Sequence, residues 1–203
     1  MPAEDMKTDR RNDACQQAAG GDIVIRRWSE IADKARLVPA LDEIFFESSP
    51  TKTFADEDAR TAFRQRWLGR YLESDPQAVY LAMDGEQVAG YLAGRFQDAE
   101  PTRAGEDIAR FDDAAAIAAD YPAHLHINLA PGYRNRGIGA QLIAAFAADV
   151  ARAGLGGIHV VTGAASRNVR FYARNGFAEL QRARFNGHEI ILLGRRLAGQ
   201  ETA

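Results

Sequence analysis

A loop rich in arginine and glycine stands between a predicted strand and a predicted helix. The segment APGYRNRGIGAQL, residues 130–142, carries Arg134, Arg136, Gly137 and Gly139. Two arginines at the positive end of a helix dipole are unfavourable unless something negative binds between them. Free N–H groups, glycines without a Cβ and two guanidinium groups suit a phosphate. The sequence predicts a pyrophosphate cradle here; the alternative is a solvated loop whose glycines permit tight helix–strand packing.

Two other phosphate-binding motifs do not fit this loop. It contains no GxxxxGK[ST] sequence, and the dinucleotide-binding pattern GxGxxG would need a glycine at Leu142. The cradle is therefore predicted from its strand–loop–helix context alone.

Polar side chains also line the strand predicted before this loop. The segment AHLHINLA, residues 123–130, alternates apolar and polar residues. Because side chains of a strand alternate between faces, His124, His126 and Asn128 are expected on one face. A histidine that titrates near neutral pH could accept a proton there, although a strand histidine is more often structural.

The elements that position these residues are predicted from periodicity and turn signals. Apolar residues recur every four positions in the helix that follows the cradle, and this helix is expected to stop at Gly154. The first upstream elements are a strand at 23–28 and a helical stretch that is capped by Ser29 and broken near Pro39. They are followed by a helix at 56–74 and by a hairpin at Asp84–Gly85. The helix at 56–74 carries an apolar stripe of Phe63, Trp67 and Tyr71. Residues 97–121 form an insertion that could hold a short helix, and the downstream elements are a strand at 157–163, a short helix ending at Gly176, and two strands joined at Asn186–Gly187.

Composition limits the class of protein. The 203 residues are 46% hydrophobic with a net charge of -3, which predicts one α/β domain over 22–198 and no nucleic acid partner. Residues 1–21 are polar and small, typical of a disordered tail. A lone Cys15, no apolar leader and no long apolar run predict a cytoplasmic protein without disulfide or membrane span. No metal is expected, since no ligand spacing is present.

Two segments resemble the GNAT superfamily of N-acetyltransferases. LAPGYRNRGIGAQLIAAF is similar to its acetyl-CoA-binding motif, R/Q-x-x-G-x-G/A, and RNVRFYARNGFAEL is similar to its helix with a tyrosine followed by GF. The resemblance implies a mixed, mostly antiparallel sheet splayed at a central strand, with helices on both faces. It also implies transfer of acetyl from acetyl-CoA to a small-molecule or peptide amine, by a monomer or a homodimer.

A narrower resemblance concerns YPAHLHINLAP and the terminal ILLGRRL. Both are similar to the acetyltransferase-like C-terminal module of O-GlcNAc hydrolases and its stand-alone bacterial relatives. Because that module is regarded as catalytically doubtful, a non-catalytic acetyl-CoA-binding sensor or scaffold is the alternative function.

The superfamily pattern assigns cofactor contacts by position. It implies backbone pairing of Leu129 and Ala130 with the pantetheine arm. The residues expected around the pyrophosphate are Arg134, Asn135, Arg136, Gly137, Ile138, Gly139 and Ala140.

Tyr172 matches the tyrosine that protonates the leaving thiolate in this superfamily, and a phenol with a pKa of about 10 can do so. The alternative for Tyr172 is packing beside Phe171 and Phe177. Where many members carry an asparagine, seven residues before the tyrosine, this chain has Ala165. Asn168 either supplies that contact or caps its helix.

The general base is the least determined role. His126 is the candidate, with Asp120, His159 and water as alternatives. Some arylalkylamine acetyltransferases carry a similar HLH, but one residue out of phase, so without a bulge His124 and His126 would face the other side. The predicted insertion also carries a group of acidic residues: Glu106, Asp107, Asp112, Asp113 and Asp120. This group could line the acceptor cleft and attract an amine, or it could be an ordinary solvated face.

Overall fold

The computed structural model of the chain describes residues 22–97 and 111–197. The predicted tail, residues 1–21, and residues 98–110 of the predicted insertion lie outside the described residues. The strands are β1 (Ile23–Arg27), β2 (Val79–Asp84), β3 (Gln87–Arg95), β4 (Ala123–Leu129), β5 (Gly157–Gly163), β6 (Ala178–Phe185) and β7 (His188–Arg196). The helices are α1 (Val38–Ser48), α2 (Glu57–Arg64), α3 (Arg70–Ser74), α4 (Ala114–Asp120), α5 (Ile138–Arg152) and α6 (Asn168–Arg174).

All seven strands form one sheet, in the order β1-β2-β3-β4-β5-β7-β6. Every neighbouring pair is antiparallel except β4 and β5, which are parallel. Helices cover both faces, because each face of the central strands carries apolar residues. α5 and α6 pack on one face, while α1, α2 and α3 cover β2 and β3 on the other, where α4 covers β7. The predicted mixed, mostly antiparallel architecture is confirmed.

The sheet opens between its two parallel strands. β4 pairs with β3 along its whole length, from Arg95–His124 to Gly90–Leu129. It pairs with β5 at only two positions, Ala123–Ile158 and His124–His159. Beyond His124 the two strands diverge, so the predicted splay at the central strand is confirmed.

The first helical prediction is wrong at its start. Residues Trp28–Glu30 form one 3-10 turn without a Ser29 cap, and α1 begins only at Val38. Pro39 opens this helix instead of breaking it. Proline is tolerated in a first turn because the N–H it lacks would have no partner there.

The helix predicted at 56–74 is present but is not uniformly α-helical. Asp56 caps it by accepting a hydrogen bond from the Ala59 N–H (2.7 Å), and a π-helical turn at Gln65–Gly69 joins α2 to α3. Tyr71 is fully buried, whereas Trp67 is half-buried. The wider turn brings this stretch against β4, and such turns are frequent at functional sites.

The predicted hairpins are confirmed. Gly85 (φ 58°) and Glu86 connect β2 to β3, and Asn186 and Gly187, with φ of 48° and 79°, connect β6 to β7. Residues with positive φ match the twist of the flanking strands.

A buried carboxylate links α5 to the edge of the sheet. Asp149 accepts hydrogen bonds from Arg27 Nε (2.9 Å) and from the Tyr80 hydroxyl (2.5 Å), and it also contacts Arg152. Burial raises the pKa of Asp149, but the hydrogen bonds from Tyr80 and Arg27 outweigh it and hold the pKa below its usual value. The ion pair is satisfied on all sides, which a buried charge requires. No helix within 22–97 and 111–197 is long and apolar enough to cross a membrane.

Candidate active site

The loop between β4 and α5 forms a concave row of backbone N–H groups. A 3-10 turn at Pro131–Tyr133 leads into it, and α5 begins at Ile138. Asn135 (φ 61°) and Gly137 (φ 78°) are left-handed. Left-handed residues within such a turn direct neighbouring N–H groups to one side, which creates an anion-binding concavity.

The donors of this loop are unpaired. In the part of the chain that the structure describes, the N–H groups of residues 135–139 have no hydrogen-bond partner. A Cβ built on Gly137 would meet no atom within 4 Å, so the space in front of it is open. Unpaired donors, the positive end of a 15-residue helix and an open approach fit a bound phosphate or pyrophosphate.

The two arginines of the loop are held by neighbours. Arg134 Nε donates to the Leu129 carbonyl (3.0 Å), and its Nη2 lies 3.4 Å from the Ser48 hydroxyl. The Arg136 guanidinium stacks 5.1 Å from the Tyr133 ring. Arg136 is exposed and forms no ion pair with a carboxylate among the described residues, so it remains able to reach an anion.

The two glycines of the motif have different roles. Gly139 is buried, and a Cβ built on it would lie 2.9 Å from Cε2 and Cζ of Phe171. Gly139 therefore permits the close packing of α6 against α5, a helix–helix contact rather than the helix–strand packing considered for this loop. Gly137 alone keeps the approach to the loop open.

The backbone at the end of β4 is partly engaged. The Ala130 N–H donates to the Ala89 carbonyl (3.0 Å), and the Ala130 carbonyl accepts from the Tyr133 N–H (2.9 Å). The Leu129 carbonyl accepts from Arg134. Pairing of Leu129 or Ala130 with a ligand through these carbonyls would use their second lone pairs.

Tyr172 lies in the main core beside the loop. Its ring packs 5.3 Å from that of Phe171 and 5.4 Å from that of Phe177, and 6% of its surface is exposed. Burial raises the pKa of its hydroxyl, so the phenol is protonated at neutral pH.

Asn168 is exposed at the first position of α6. Its N–H donates to the Ser166 hydroxyl (3.2 Å), and its own side chain makes no capping hydrogen bond. The capping role considered for Asn168 is therefore wrong.

The histidines of β4 face α2 and α3, as the alternation predicts. Nε2 of His124 and Nε2 of His126 lie 3.0 Å and 3.1 Å from the Tyr71 hydroxyl. Arg70 Nη2 donates to the same hydroxyl (2.9 Å). Since the hydroxyl has one proton, only one of the two histidines can accept it, and the other must donate. The Trp67 ring stands edge-on, 5.3 Å from that of His126.

His124 and His126 are both half-buried, and the pKa of His124 is shifted. Burial is the main cause that lowers its pKa well below the usual value, and the nearby charges of His159, His126, Arg70 and Arg95 lower it further. His159 is buried, and its Nδ1 lies 2.6 Å from the Tyr121 carbonyl. A carbonyl only accepts, so this nitrogen carries the proton.

No bulge corrects the phase of the HLH segment. The register between β3 and β4 runs without a shift from His124 to Leu129. His124 and His126 therefore face away from Leu125 and Ile127, which contact the core beneath α5. The two histidines of this chain therefore remain one residue out of phase with the HLH segment of the arylalkylamine acetyltransferases.

The described members of the predicted acidic group pair with another residue or are exposed. Asp120 pairs with Arg196 (2.5 Å) at the end of α4, and Asp112 and Asp113 are exposed. Glu106 and Asp107 lie outside the described residues. Residues 22–97 and 111–197 contain no group of three or more His, Cys, Asp or Glu arranged to hold a metal ion.

Sequence reasoning missed the partners of the histidines. Tyr71 was assigned to an apolar stripe, and Arg70 was assigned no role. The stripe did predict that Trp67 and Tyr71 face the sheet, but the sequence carries no signal that β4 lies opposite them.

Comparisons with known proteins match the sequence profile of one family and the fold of several solved structures. Residues 38–177 match the sequence profile of the acetyltransferase (GNAT) family. A protein from Salmonella typhimurium, solved with its cofactor acetyl-CoA, superposes with a TM-score of 0.58 at 16% identity, covering 90% of this chain and 98% of that one. A ribosomal-protein-alanine N-acetyltransferase from Brucella melitensis superposes with a TM-score of 0.56 at 18% identity, covering 86% and 99%. PH1933 from Pyrococcus horikoshii OT3 gives 0.64 at 12% identity, covering 87% and 99%.

Proposed function

Because the chain belongs to the acetyltransferase (GNAT) family, we propose that it transfers an acetyl group from acetyl-CoA to an amine by direct attack in a ternary complex. The unpaired N–H groups of residues 135–139 carry this proposal. Unpaired donors at the start of a long helix form a favourable binding site for an anion. The pyrophosphate of acetyl-CoA is such an anion.

Residues of the loop and of β4 would hold the cofactor. The proposed contacts are Leu129, Ala130, Arg134, Asn135, Arg136, Gly137, Ile138, Gly139, Ala140 and Asn168. The opening between β4 and β5 supports a place for an extended arm, since β4 beyond His124 has a neighbour on one side only. A chain lying along such an edge can complete the ladder of backbone hydrogen bonds.

When bound, acetyl-CoA supplies an acetyl group activated as a thioester. Tyr172, protonated at neutral pH, is proposed as the general acid for the leaving sulfur, and its position beside α5 supports this role. His126 is proposed as the general base for the attacking amine. His126 is half-buried beside Trp67. Burial holds the pKa of His124 well below its usual value, which makes His124 the weaker base.

The test is the affinity of a variant that introduces negative charge at the open glycine. Gly137→Asp should raise the Kd for acetyl-CoA at least about tenfold in calorimetric titration, because like charges about 4 Å apart interact by about 4 kcal/mol near a protein surface. Asp also tolerates the left-handed backbone better than most residues.

Two further variants make the result specific. Gly137→Asn is neutral and of the same size, so it should lose less affinity than Gly137→Asp. Gly132→Asp places the same charge in the same loop, where a Cβ also meets open space, and it should bind nearly as the parent does. Unchanged affinity in Gly137→Asp would contradict the proposed cofactor site.

A non-catalytic acetyl-CoA-binding module is the second candidate. Ala165 stands where many superfamily members have an asparagine, and the side chain of Asn168 is exposed. Saturable binding of acetyl-CoA without release of CoA across a panel of amines would favour this candidate. The similarity to the O-GlcNAc hydrolase module, a cytoplasmic location, a monomer or homodimer and one domain over 22–198 remain predictions.

A further inference from the structure

The face of the sheet that carries His126 holds several half-buried arginines, and two of those beside β4 or α1 are paired with aspartates. Arg64 Nε lies 2.8 Å from Asp42, and Arg95 Nη2 lies 2.6 Å from Asp75. Arg70 has no carboxylate partner within residues 22–97 and 111–197. It contacts only Tyr71, through the hydroxyl and at 4.8 Å from the ring.

The guanidinium of Arg70 is incompletely satisfied. Its Nε is the sole buried side-chain nitrogen or oxygen without a hydrogen-bond partner among the described residues. A guanidinium has five donors, and a buried donor without an acceptor is unfavourable. The charge and the unmet Nε donor together favour an anionic acceptor at Arg70, and the described residues include no carboxylate bound there.

Arg70 is next to the proposed general base. Arg70 Nη2 and His126 Nε2 both lie about 3 Å from one atom, the Tyr71 hydroxyl oxygen. A substrate whose amine lies at His126 therefore has its adjacent atoms close to the guanidinium.

We propose that the acceptor is an amino acid, whose carboxylate binds Arg70 while its amine lies at His126. The inference rests on the proposed function, since it places the amine at the base. In an amino acid the two groups are bonded to the same carbon, which suits two protein groups that share one hydroxyl. A planar carboxylate also matches the planar fork of donors on a guanidinium.

The same charge disfavours other amines. Arg70, Arg95 and His159 lie close enough to His124 on β4 to lower its pKa, and among the described residues Arg95 is paired with Asp75. An amine without a carboxylate would bring an uncompensated positive charge toward Arg70, and like charges at a binding site reduce affinity. Arg70 thus determines specificity.

The experiment compares each of the twenty amino acids with its carboxamide, using full-length protein and acetyl-CoA. Release of CoA gives kcat/KM for each pair, and calorimetry on the CoA-bound protein gives the Kd of each pair without turnover. A charge-assisted hydrogen bond predicts that the best amino acid is preferred over its amide by roughly 10- to 100-fold.

Variants assign this preference to Arg70. Arg70→Gln keeps an amide donor for Tyr71 but removes the charge, and it should reduce the preference to near one. Arg70→Lys keeps the charge without the fork and should retain part of it. Arg66→Gln is the matched control, because Arg66 lies one turn earlier at an exposed position. This variant should retain the full preference for the amino acid over its carboxamide. Thermal unfolding of each variant checks that it folds.

The outcomes separate the two proposals. Turnover of amines with no preference for the acid form, or a preference that Arg70→Gln and Arg66→Gln reduce equally, would overturn the role of Arg70 and leave the acetyltransferase function standing. Binding of amino acids through Arg70 without release of CoA would overturn the acetyltransferase function and leave the role of Arg70 standing. Amino acids that are neither bound nor acetylated would overturn the proposed acceptor.

Discussion

Gly139 allows a quantitative test of the packing beneath the cofactor loop. An alanine there places a Cβ 2.9 Å from two ring carbons of Phe171, closer than carbon atoms normally approach. Overpacking of this kind costs about 1–3 kcal/mol, whereas replacing glycine by alanine within a helix gains up to about 1 kcal/mol. We therefore expect Gly139→Ala to lower the free energy of unfolding by up to about 2 kcal/mol.

A double-variant cycle isolates the contact. Phe171→Leu removes both ring carbons, Cε2 and Cζ, so the alanine should no longer meet them. In that background Gly139→Ala should be neutral or stabilising, with a coupling of at least about 1 kcal/mol between the two positions.

The assay is urea unfolding of the four proteins, followed by circular dichroism. Gly132→Ala is the control, because no atom lies within 4 Å of its Cβ. Effects at 139 and 171 that add within about 0.5 kcal/mol would show that the ring moves without cost and would refute the packing role of Gly139.

Two further predictions concern the site itself. Tyr172→Phe removes only the hydroxyl, so acetyl-CoA affinity should persist while kcat falls by about 10²–10⁴-fold, as for loss of a general acid; equal kcat in both proteins would exclude Tyr172 from proton transfer. His124 has a folded-state pKa well below the usual 6.5, so the unfolded chain takes up the proton first and the folded protein loses up to about 1.4 kcal/mol per pH unit below about pH 6.5. His124→Gln should make the free energy of unfolding less dependent on pH in that range, and an unchanged slope would contradict this assignment.

Local signals were sufficient for much of the fold. Asn186–Gly187 and Gly85 require positive φ, so the hairpins could be placed from residue type alone. The end of α5 at Gly154 (φ 74°) was predictable for the same reason. Pro39 misled the prediction, because proline disrupts the middle of a helix but is accommodated in its first turn, and the sequence does not distinguish the two positions.

The site was predictable only where it is local. The strand, loop and helix around Gly137 are contiguous in sequence, and their anion-binding geometry follows from residue types. Gly139 and Arg70 behave differently, since their roles depend on Phe171 and on β4, which only the tertiary structure brings near. The predicted open approach is present at Gly137, whereas the space beside Gly139 is filled by the Phe171 ring.

The carboxylate of Asp149 has a consequence for how the chain assembles. Its partner Arg27 is 122 residues away along the chain, and Tyr80 is 69 residues away. Contacts over such separations form only after a large loss of chain entropy, and a carboxylate buried without its partners is strongly unfavourable. The last turn of α5 and the first strand therefore stabilise each other through Asp149, and we expect docking of the helix and completion of the sheet edge to be coupled in folding.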